Sequence, residues 1–274
     1  GTYTGGSVQQ VINLSDLRTV KVPTPPLAEQ QRIVGVLDEA FAGLATAKAN
    51  AAQNLQNARA LFESHLQSVF THRGKGWVEK ELGELCEFEN GDRGTNYPNK
   101  SARTASGIPF INAGHLTEFG LDMERMDFIS KERFDLLGAG KVQPKDILFC
   151  LRGSLGKYAS VGDLPAGAIA SSLVIVRPRP TILDRFVLAY FGSPICAAMV
   201  NRFKNGAAQP NLSANSLKKF VIPVPPLAEQ ERIVTQLDAL AAETQRLTRI
   251  YEQKQAALAA LKKSLLHQAF SGAL

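Results

Sequence analysis

The alternation of apolar and polar positions along the chain predicts two long helices. No proline occurs from Leu27 to Phe70 or from Leu227 to Phe270, and each stretch follows a Pro-Pro pair. Proline suits the first turn of a helix because the N–H that it lacks would have no partner there. In each stretch, eight of the eleven positions reached by alternating steps of four and three are apolar. This spacing is typical of helices paired in a coiled coil.

The two apolar seams differ in the size of their side chains. The first is rich in alanine and the second in leucine, so small residues can face large ones if the helices pair with each other. Solvent-facing spacers and core helices of a larger fold are the alternatives, but the first helix is too apolar along one stripe to stand alone in water. We expect the helix-pairing positions to be Ile33, Leu37, Leu44, Leu61, Ile233, Leu237, Leu240, Leu247, Leu258, Leu261 and Leu265.

An internal repeat opens both helices. Residues 25–34 read PPLAEQQRIV and residues 225–234 read PPLAEQERIV, so nine of ten positions match. Upstream, residues 13–15 and 211–213 both read Asn-Leu-Ser. One interpretation is an old duplication that now serves packing alone. The other is that each copy closes one domain, with a pseudo-two-fold relation between the two copies.

The segment between the helices, residues 77–224, predicts one globular domain. It mixes short apolar stretches bounded by glycine and proline with a few helical patterns, which indicates an α+β domain. The predicted strands are 108–112, 147–151, 158–161 and 168–176, and the predicted helices are 130–137, 184–191 and 194–203. The long helices are predicted at 25–72 and 225–270, and residues 1–24 form a separate N-terminal segment.

Charge is distributed unevenly within this domain. The whole chain has 31 Lys and Arg against 25 Asp and Glu, a formal net charge of +6. Residues 77–136 hold 7 basic and 12 acidic side chains, net −5, whereas residues 137–224 hold 11 and 3, net +8. A basic half of this size indicates contact with phosphates, and the alternative is a solvated basic face.

Cysteine usage and hydropathy set the cellular context. The three cysteines are odd in number and far apart in the sequence, which argues against a disulfide framework and favours a reducing cytoplasm. The sequence has no apolar run near the roughly 20 residues that a membrane helix needs, so we expect no membrane association.

Several classes of enzyme are disfavoured by the motifs that the sequence lacks. The Pro-Pro motif of amino-methyltransferases, a complete P-loop, a Gly-x-Ser-x-Gly elbow and a nuclease carboxylate pair with lysine are all missing. The four histidines have no metal-ligand spacing with the cysteines. We therefore expect a chain with no catalytic residues, no cofactor and no metal.

Four stretches of sequence carry a resemblance to a known family. The most specific is the doubled Pro-Pro-Leu-Ala-Glu-Gln-x-Arg-Ile-Val, and the other three are supportive: GAAQPNLS at 206–213, DILF at 146–149 leading into RGSLGK at 152–157, and GIPFI at 107–111. With these stretches the chain resembles part of a type I restriction-modification DNA specificity subunit, the component that reads the DNA sequence.

The resemblance implies a fold and a set of partners. The expected fold is α+β, with one mixed α/β target recognition domain, residues 77–224, and two long helices in an antiparallel coiled coil. The expected partners are double-stranded DNA, methyltransferase (M) subunits anchored by the helices, and a restriction (R) subunit in the full complex. Methylation and cleavage would then belong to those partner subunits.

The chain departs from the family layout, because that layout has two recognition domains and this sequence has one. Residues 1–24 are then the tail of a preceding recognition domain or an N-terminal arm. The chain is expected to be either the second half of a longer subunit or a half-size subunit that forms a homodimer through its long helices.

Candidate DNA-contacting residues lie in polar loops next to predicted strands. Such loops on a rigid scaffold often carry binding function, and the alternatives are plain hairpin turns, disordered loops or, for the loop before the second repeat, a structural join. Phosphate contact is expected of the 152–157 loop and contact with base edges of the residues that follow strand 108–112. The candidates are Arg93, Lys100, Arg103, Asn112, His115, Arg152, Ser154, Lys157, Lys204 and Gln209.

Two other functions compete with DNA reading. One is a coiled-coil scaffold whose central domain binds a protein partner. The other is a nuclease or methyltransferase too divergent for its motif to show. Salt-dependent binding to duplex DNA would separate DNA reading from the scaffold, and binding of S-adenosylmethionine would support the divergent enzyme.

Overall fold

The computed structural model describes residues 13–118, 120–206 and 210–274. These residues fall into two compact units. One contains the described residues up to Arg59 together with Thr244–Leu274, and the other is Ala60–Glu243. The first twelve residues of the predicted N-terminal segment lie outside the described part of the chain.

Helices lie near both ends of the described chain, and several short helices lie between the two longest ones. The two longest have 45 residues each. The helices are α1 (Leu14–Arg18), α2 (Leu27–Thr71), α3 (Leu82–Leu85), α4 (Lys131–Asp135), α5 (Asp184–Phe191), α6 (Pro194–Phe203), α7 (Ala214–Lys218) and α8 (Leu227–Ser271), with one 3-10 turn at Lys100–Ala102.

Within the described residues, the strands all lie between the two long helices and are short. They are β1 (Val78–Glu81), β2 (Cys86–Asn90), β3 (Arg103–Thr104), β4 (Ile108–Ile111), β5 (Leu116–Thr117), β6 (Gly120–Leu121), β7 (Asp127–Ile129), β8 (Lys141–Val142), β9 (Ile147–Cys150), β10 (Tyr158–Ser160), β11 (Gly167–Ile169), β12 (Leu173–Pro178) and β13 (Val221–Val224).

Two larger sheets organise these strands. One has the order β10-β9-β12-β2 and is antiparallel throughout. The other has the order β3-β7-β4-β11-β8, with a parallel pair between β11 and β4. Two small sheets pair β1 with β13 and β5 with β6. The α+β class predicted from sequence is confirmed.

The predicted elements are largely present, with one correction. The predicted strand over 168–176 is two strands, β11 and β12, because the chain turns between them and the Leu173 N–H donates to the Ala170 carbonyl at 3.0 Å. Helix α6 begins where the sequence predicts, since Pro194 occupies its first turn and the Ser193 hydroxyl caps the Cys196 N–H.

The main core of the Ala60–Glu243 unit lies between the four-stranded sheet and the helices. Phe149 of β9 and Phe186, Tyr190 and Phe191 of α5 belong to this core. The last turns of α2 and the first turns of α8 insert into the same core. They contribute Leu66, Phe70, Ile233, Val234 and Leu237, none of which is more than 8% exposed.

In the other unit, α2 and α8 run antiparallel. The Arg32 guanidinium, near the start of α2, donates to the carbonyl of Leu274 at 2.7 Å. Further along, Lys262 Nζ lies 5.0 Å from the centre of the Phe41 ring. Ala51 and Ala58 are buried, and Leu44, Leu247 and Leu258 are half-buried. The predicted antiparallel pairing of the long helices is confirmed.

Two of the predicted helix-pairing positions are exposed. Leu61 is 62% exposed and Leu261 is 48% exposed, so neither pairs the helices within this chain. In α2 the buried or half-buried positions are 29, 33, 37, 40, 41, 44, 47, 51, 55, 58, 62, 65, 66, 69 and 70. As far as Ala58, positions 33, 37, 40, 44, 47, 51 and 58 belong to the predicted seam, which is the spacing of a coiled coil.

Two of the predicted pairing positions have another role. Ile233 and Leu237 are buried within the core of the globular domain together with Phe186 and Phe220. The remaining positions, Ile33, Leu37, Leu240 and Leu265, are half-buried.

Among the described residues, no single helix is long and apolar enough to span a membrane, and one bent pair, α5 with α6, passes on length and composition alone.

Candidate nucleic-acid interface

One edge of the four-stranded sheet gathers several of the candidate residues. Strands β2 and β9 both run antiparallel to β12 between them, with Asn90 opposite Val174 and Cys150 opposite Leu173. The ends of β2 and β9 and the start of β12 therefore lie at the same edge. The loops that carry Arg93 and Arg152 emerge there.

Arg93 and Arg152 converge on one backbone carbonyl. Arg93 Nη2 donates to the Ser171 oxygen at 3.4 Å, and Arg152 Nη2 donates to the same oxygen at 3.2 Å. Neither guanidinium forms an ion pair with any described carboxylate. Two like charges that share a neutral acceptor leave an uncompensated positive field, which favours an anion.

The loop that carries Arg93 is fixed by its neighbours. A Cβ at Gly91 would lie 2.7 Å from the Ala170 carbonyl oxygen, so only glycine permits this close approach to the turn before β12. Asp92 accepts hydrogen bonds from the backbone N–H groups of Gly94 at 2.6 Å and Gly138 at 2.8 Å. These backbone bonds lower the pKa of the Asp92 carboxyl and hold the loop in place.

A cavity of about 390 Å³ opens beside the two arginines. Its apolar part is formed by Leu151 and Leu212, which are 2% and 3% exposed. The Leu212 N–H donates to the Leu151 carbonyl at 2.9 Å, so this part is rigid. The other residues that line the cavity are Asn90, Arg93, Arg152, Asn211, Ser213, Ala214 and Asn215.

The predicted polar loop before the second repeat reaches the same cavity. Asn205 and Asn211 exchange two backbone hydrogen bonds of 2.8 Å, and Asn211 also forms a β-bridge with Arg152. Lys204 is exposed and donates to the Asn201 side chain at 2.9 Å. Gln209 lies outside the described residues. The fold thus brings together parts of three loops that are far apart in the sequence.

Three other candidates form a second cluster of polar side chains beside β4. His115 is 6% exposed, and its Nδ1 accepts from the Asn112 backbone N–H at 3.2 Å. The Asn112 side chain binds the Gly114 N–H and Asp127, and Arg103 forms an ion pair with Asp127 at 2.5 Å. Arg103, Asn112 and His115 are thus held together through Asp127, and their contact with DNA stays a prediction.

Burial also shifts the ionisation of this histidine. Desolvation lowers the pKa of His115 and outweighs the nearby Asp127 carboxylate, which raises it. The neutral imidazole is the form that can accept the Asn112 N–H. The cluster thus fixes the turn after β4, which is a structural role.

The remaining candidates, Lys157, Ser154 and Lys100, differ in how far their side chains are exposed to solvent. Lys157 is half-buried and donates to the Ala113 carbonyl at 3.1 Å, and its contact with phosphate stays a prediction. Ser154 is exposed in the turn after β9. Lys100 is exposed in the 3-10 turn. Ser154 and Lys100 stay predicted DNA contacts.

The excess of basic residues in 137–224 overstates the positive surface. Arg177 forms two hydrogen bonds of 2.8 Å with the buried carboxylate of Asp146. Arg185 forms an ion pair with Asp238 at 2.7 Å. Asp146, part of a motif that carried the resemblance, therefore has a structural role.

Asn90 and Asn215 line the cavity but were not among the candidates chosen from the sequence. Asn90 ends β2, a strand that was not predicted. The alternation of Cys86, Glu87, Phe88 and Glu89 was the available signal. Asn215 lies in the five-residue helix α7, which is capped by Ser213. The Ser-x-x-Ser spacing indicated a capped turn, but nothing in it indicated a cavity.

Comparison with known proteins places this arrangement in a family. A family model described as "Type I restriction modification DNA specificity domain" matches residues 2–54 and 74–256. The specificity subunit of the type I restriction enzyme EcoBI of Escherichia coli is 25% identical over 94% of this chain. That of EcoKI of Escherichia coli K12 is 26% identical over 93%. This chain spans 59% and 58% of the lengths of those two relatives.

Solved structures share the fold. One is described as the structural basis of complex assembly and conformational transition of the type I R-M system. It matches 98% of this chain and 66% of its own chain, with a TM-score of 0.83 and 24% sequence identity. The HsdS subunit from Thermoanaerobacter tengcongensis matches 98% of this chain and 65% of its own, with a TM-score of 0.63 and 23% identity.

Proposed function

The chain belongs to the family of the type I restriction modification DNA specificity domain, and on that premise we propose that it reads part of a DNA target for a type I restriction-modification complex. Its domain 77–224 is the target recognition domain, and the reading is done at the edge of the four-stranded sheet. The observation that carries this proposal is the pair of arginines beside the polar cavity, which have no partner among the described carboxylates.

The chemistry of methyl transfer and cleavage belongs, in this proposal, to other subunits in the cytoplasm. The relatives are named as specificity subunits of restriction enzymes, which supports a division between reading and catalysis. The long helices anchor the methyltransferase subunits, and the restriction subunit joins them in the full complex. The three cysteines are buried and free, as suits a reducing compartment.

Residues 1–24 are, in this proposal, the tail of a further recognition domain. Supporting this, Leu14, Leu17, Val20 and Val22 are all 47% or more exposed, whereas Leu212, Leu217, Phe220 and Ile222 at the matching positions are 3% or less exposed. A homodimer joined through the long helices would bring together two recognition domains related by a two-fold axis. Such a dimer would read an inverted repeat.

The test is the salt dependence of binding to duplex DNA. We expect log K to fall linearly with log salt for the full chain. We expect the double variant Arg93→Ala/Arg152→Ala to lower the slope by about 0.9 for each phosphate that the arginines no longer neutralise. Arg59→Ala, on an exposed position of α2, is the control and should keep the wild-type slope.

Two results would contradict the proposal in different ways. An unchanged slope in the double variant would move the phosphate-binding surface elsewhere on the protein. The absence of salt-dependent binding in the wild-type chain would favour the coiled-coil scaffold, whose central domain would then bind a protein.

A further inference from the structure

Three asparagine side chains line the cavity next to the arginine pair. Asn90, Asn211 and Asn215 are all exposed. Their side-chain amides take part in no hydrogen bond within the described part of the chain. Most of the other asparagines of the domain 77–224 do form side-chain hydrogen bonds. Asn96, Asn99 and Asn112, for example, each bind backbone or side-chain groups.

The backbones that carry these amides are held firmly. Asn90 is paired with Val174 in the sheet. Asn211 exchanges two hydrogen bonds with Asn205. Asn215 lies in the first turn of α7, where the Ser213 side chain accepts from the Ser216 N–H at 2.9 Å. Fixed backbones with free amides are what base reading requires, because less freedom is lost on binding.

The chemistry of the amides selects a class of base. A carboxamide presents one donor and one acceptor side by side, and this pair matches N6 and N7 of adenine in the major groove. The neighbouring guanidinium groups of Arg93 and Arg152 suit the phosphate of the same strand, which fixes register without reading sequence. The cavity therefore combines a positioning contact with a reading contact.

Resting on the proposed function, we propose that Asn90, Asn211 and Asn215 are specificity-determining residues that read an adenine-containing step of the DNA target at this cavity. Arg93 and Arg152 supply affinity that does not depend on sequence. Substitutions of the two groups should then have separable effects: those of the asparagines change which sequence is preferred, and those of the arginines change how tightly every duplex is held.

The experiment is selection from a library of random duplexes by the full chain and by three variants, Asn90→Ala, Asn211→Ala and Asn215→Ala. We expect the wild-type motif to contain an A·T pair at which at least one variant loses roughly 5- to 150-fold of its discrimination, the range expected for one bidentate contact. The other positions of the motif and the affinity for unrelated duplexes should stay as in the wild type.

A second substitution guards against loss of folding. Asn211→Asp keeps the shape of the side chain but removes its donors, and a carboxylate accepts from the N4 amino group of cytosine. If Asn211 reads the adenine, this variant should shift the preference at that position from adenine towards cytosine. Asn50→Ala, at an exposed position of α2, is the matched control and should select the wild-type motif.

The outcomes separate this inference from the function on which it rests. If the wild-type chain selects a motif that all three alanine variants also select, the asparagines do not read bases, while DNA reading by the chain stands. Binding to duplexes without any selected motif also overturns the inference. If the wild-type chain binds no duplex at low salt, the proposed function fails and the inference fails with it.

Discussion

The two copies of the internal repeat share nine of ten residues but lie in different surroundings. In both copies the local contacts are the same. Gln30 donates to Pro25 at 2.7 Å as Gln230 does to Pro225 at 2.9 Å, and an Arg–Glu pair three residues apart follows in each. A short sequence thus builds the same helix start twice.

The copies differ in what covers them. Gln230 is 0% exposed, and its Oε1 accepts from the Leu183 N–H at 2.9 Å, whereas Gln30 is exposed. Val234 is 8% exposed and Val34 is 55% exposed. The second copy lies in the core of a domain, and the first has the same side chains without such a core. That each copy closes one domain stays our proposal.

When matched residues of the two helices are replaced, the largest difference in the loss of stability is expected at Phe70 and Phe270. Phe70 is 0% exposed and packs against Phe186 and Tyr190, whereas Phe270 is 61% exposed. Phe70→Ala should lower the free energy of unfolding by about 3–5 kcal/mol, because it opens a cavity in the core. Phe270→Ala should change it by no more than about 0.5 kcal/mol.

Urea unfolding of both variants checks this expectation. A loss of several kcal/mol in Phe270→Ala would mean that its surface is covered in solution. Equal losses of unfolding free energy in the two variants would contradict the expected difference in burial between Phe70 and Phe270.

Substitution of Gln30 and Gln230 should give an intermediate difference in the loss of stability. Gln230→Leu leaves the Leu183 N–H and the Pro225 carbonyl without their partner, which costs about 1–3 kcal/mol for buried groups. Gln30→Leu breaks one bond at an exposed position and should cost at most a few tenths of a kcal/mol. Thermal unfolding of the matched pair measures both. Equal losses would show that the bond within the repeat, and not the bond to Leu183, provides the stability.

The smallest difference in stability is expected between substitutions of Asp38 and Asp238, and it depends on pH. Burial raises the pKa of the Asp238 carboxyl, and Arg185, 2.7 Å away, lowers it only in part. Since the pKa in the folded state exceeds that in the unfolded state, stability should fall slightly as the pH rises through the raised pKa. Asp238→Asn should remove this dependence, with a change below about 0.5 kcal/mol at pH 7, because the pair is partly solvated.

Urea unfolding between about pH 3 and pH 7 measures this effect, since carboxyl groups titrate in that range. Asp38→Asn, at an exposed position, is the control. A clear loss of stability at pH 7 in Asp238→Asn would mean that the ion pair with Arg185 outweighs the cost of burial.

The candidate interface shows where inference from the sequence stops. Glycine and polar residues marked the loops that carry Arg93 and Arg152, and both arginines lie at the cavity. The same reasoning also selected Arg103, Asn112 and His115, which bind one another and Asp127. A loop pattern reveals that a side chain is polar and near a strand end, but not which partner across the fold it meets.

The sequence by itself determined the α+β class and the long helices, whose starts at Leu27 and Leu227 lie two residues after the predicted ones, because these features depend on interactions between residues a few positions apart. Proline at a helix start, a serine cap and the spacing of apolar positions all act within one or two helical turns. The equal local contacts at Gln30 and Gln230 are a direct case.

Only the tertiary structure decided which of two nearly identical segments is buried and which polar side chains remain free to bind. Leu61 fits a heptad pattern yet is exposed, because this end of α2 packs in the core of the globular domain through Leu66 and Phe70 instead. Asn90 and Asn211 lie far apart in sequence, and the antiparallel sheet order places them at one cavity. Burial and convergence depend on residues that are distant along the chain, so no local pattern contains them.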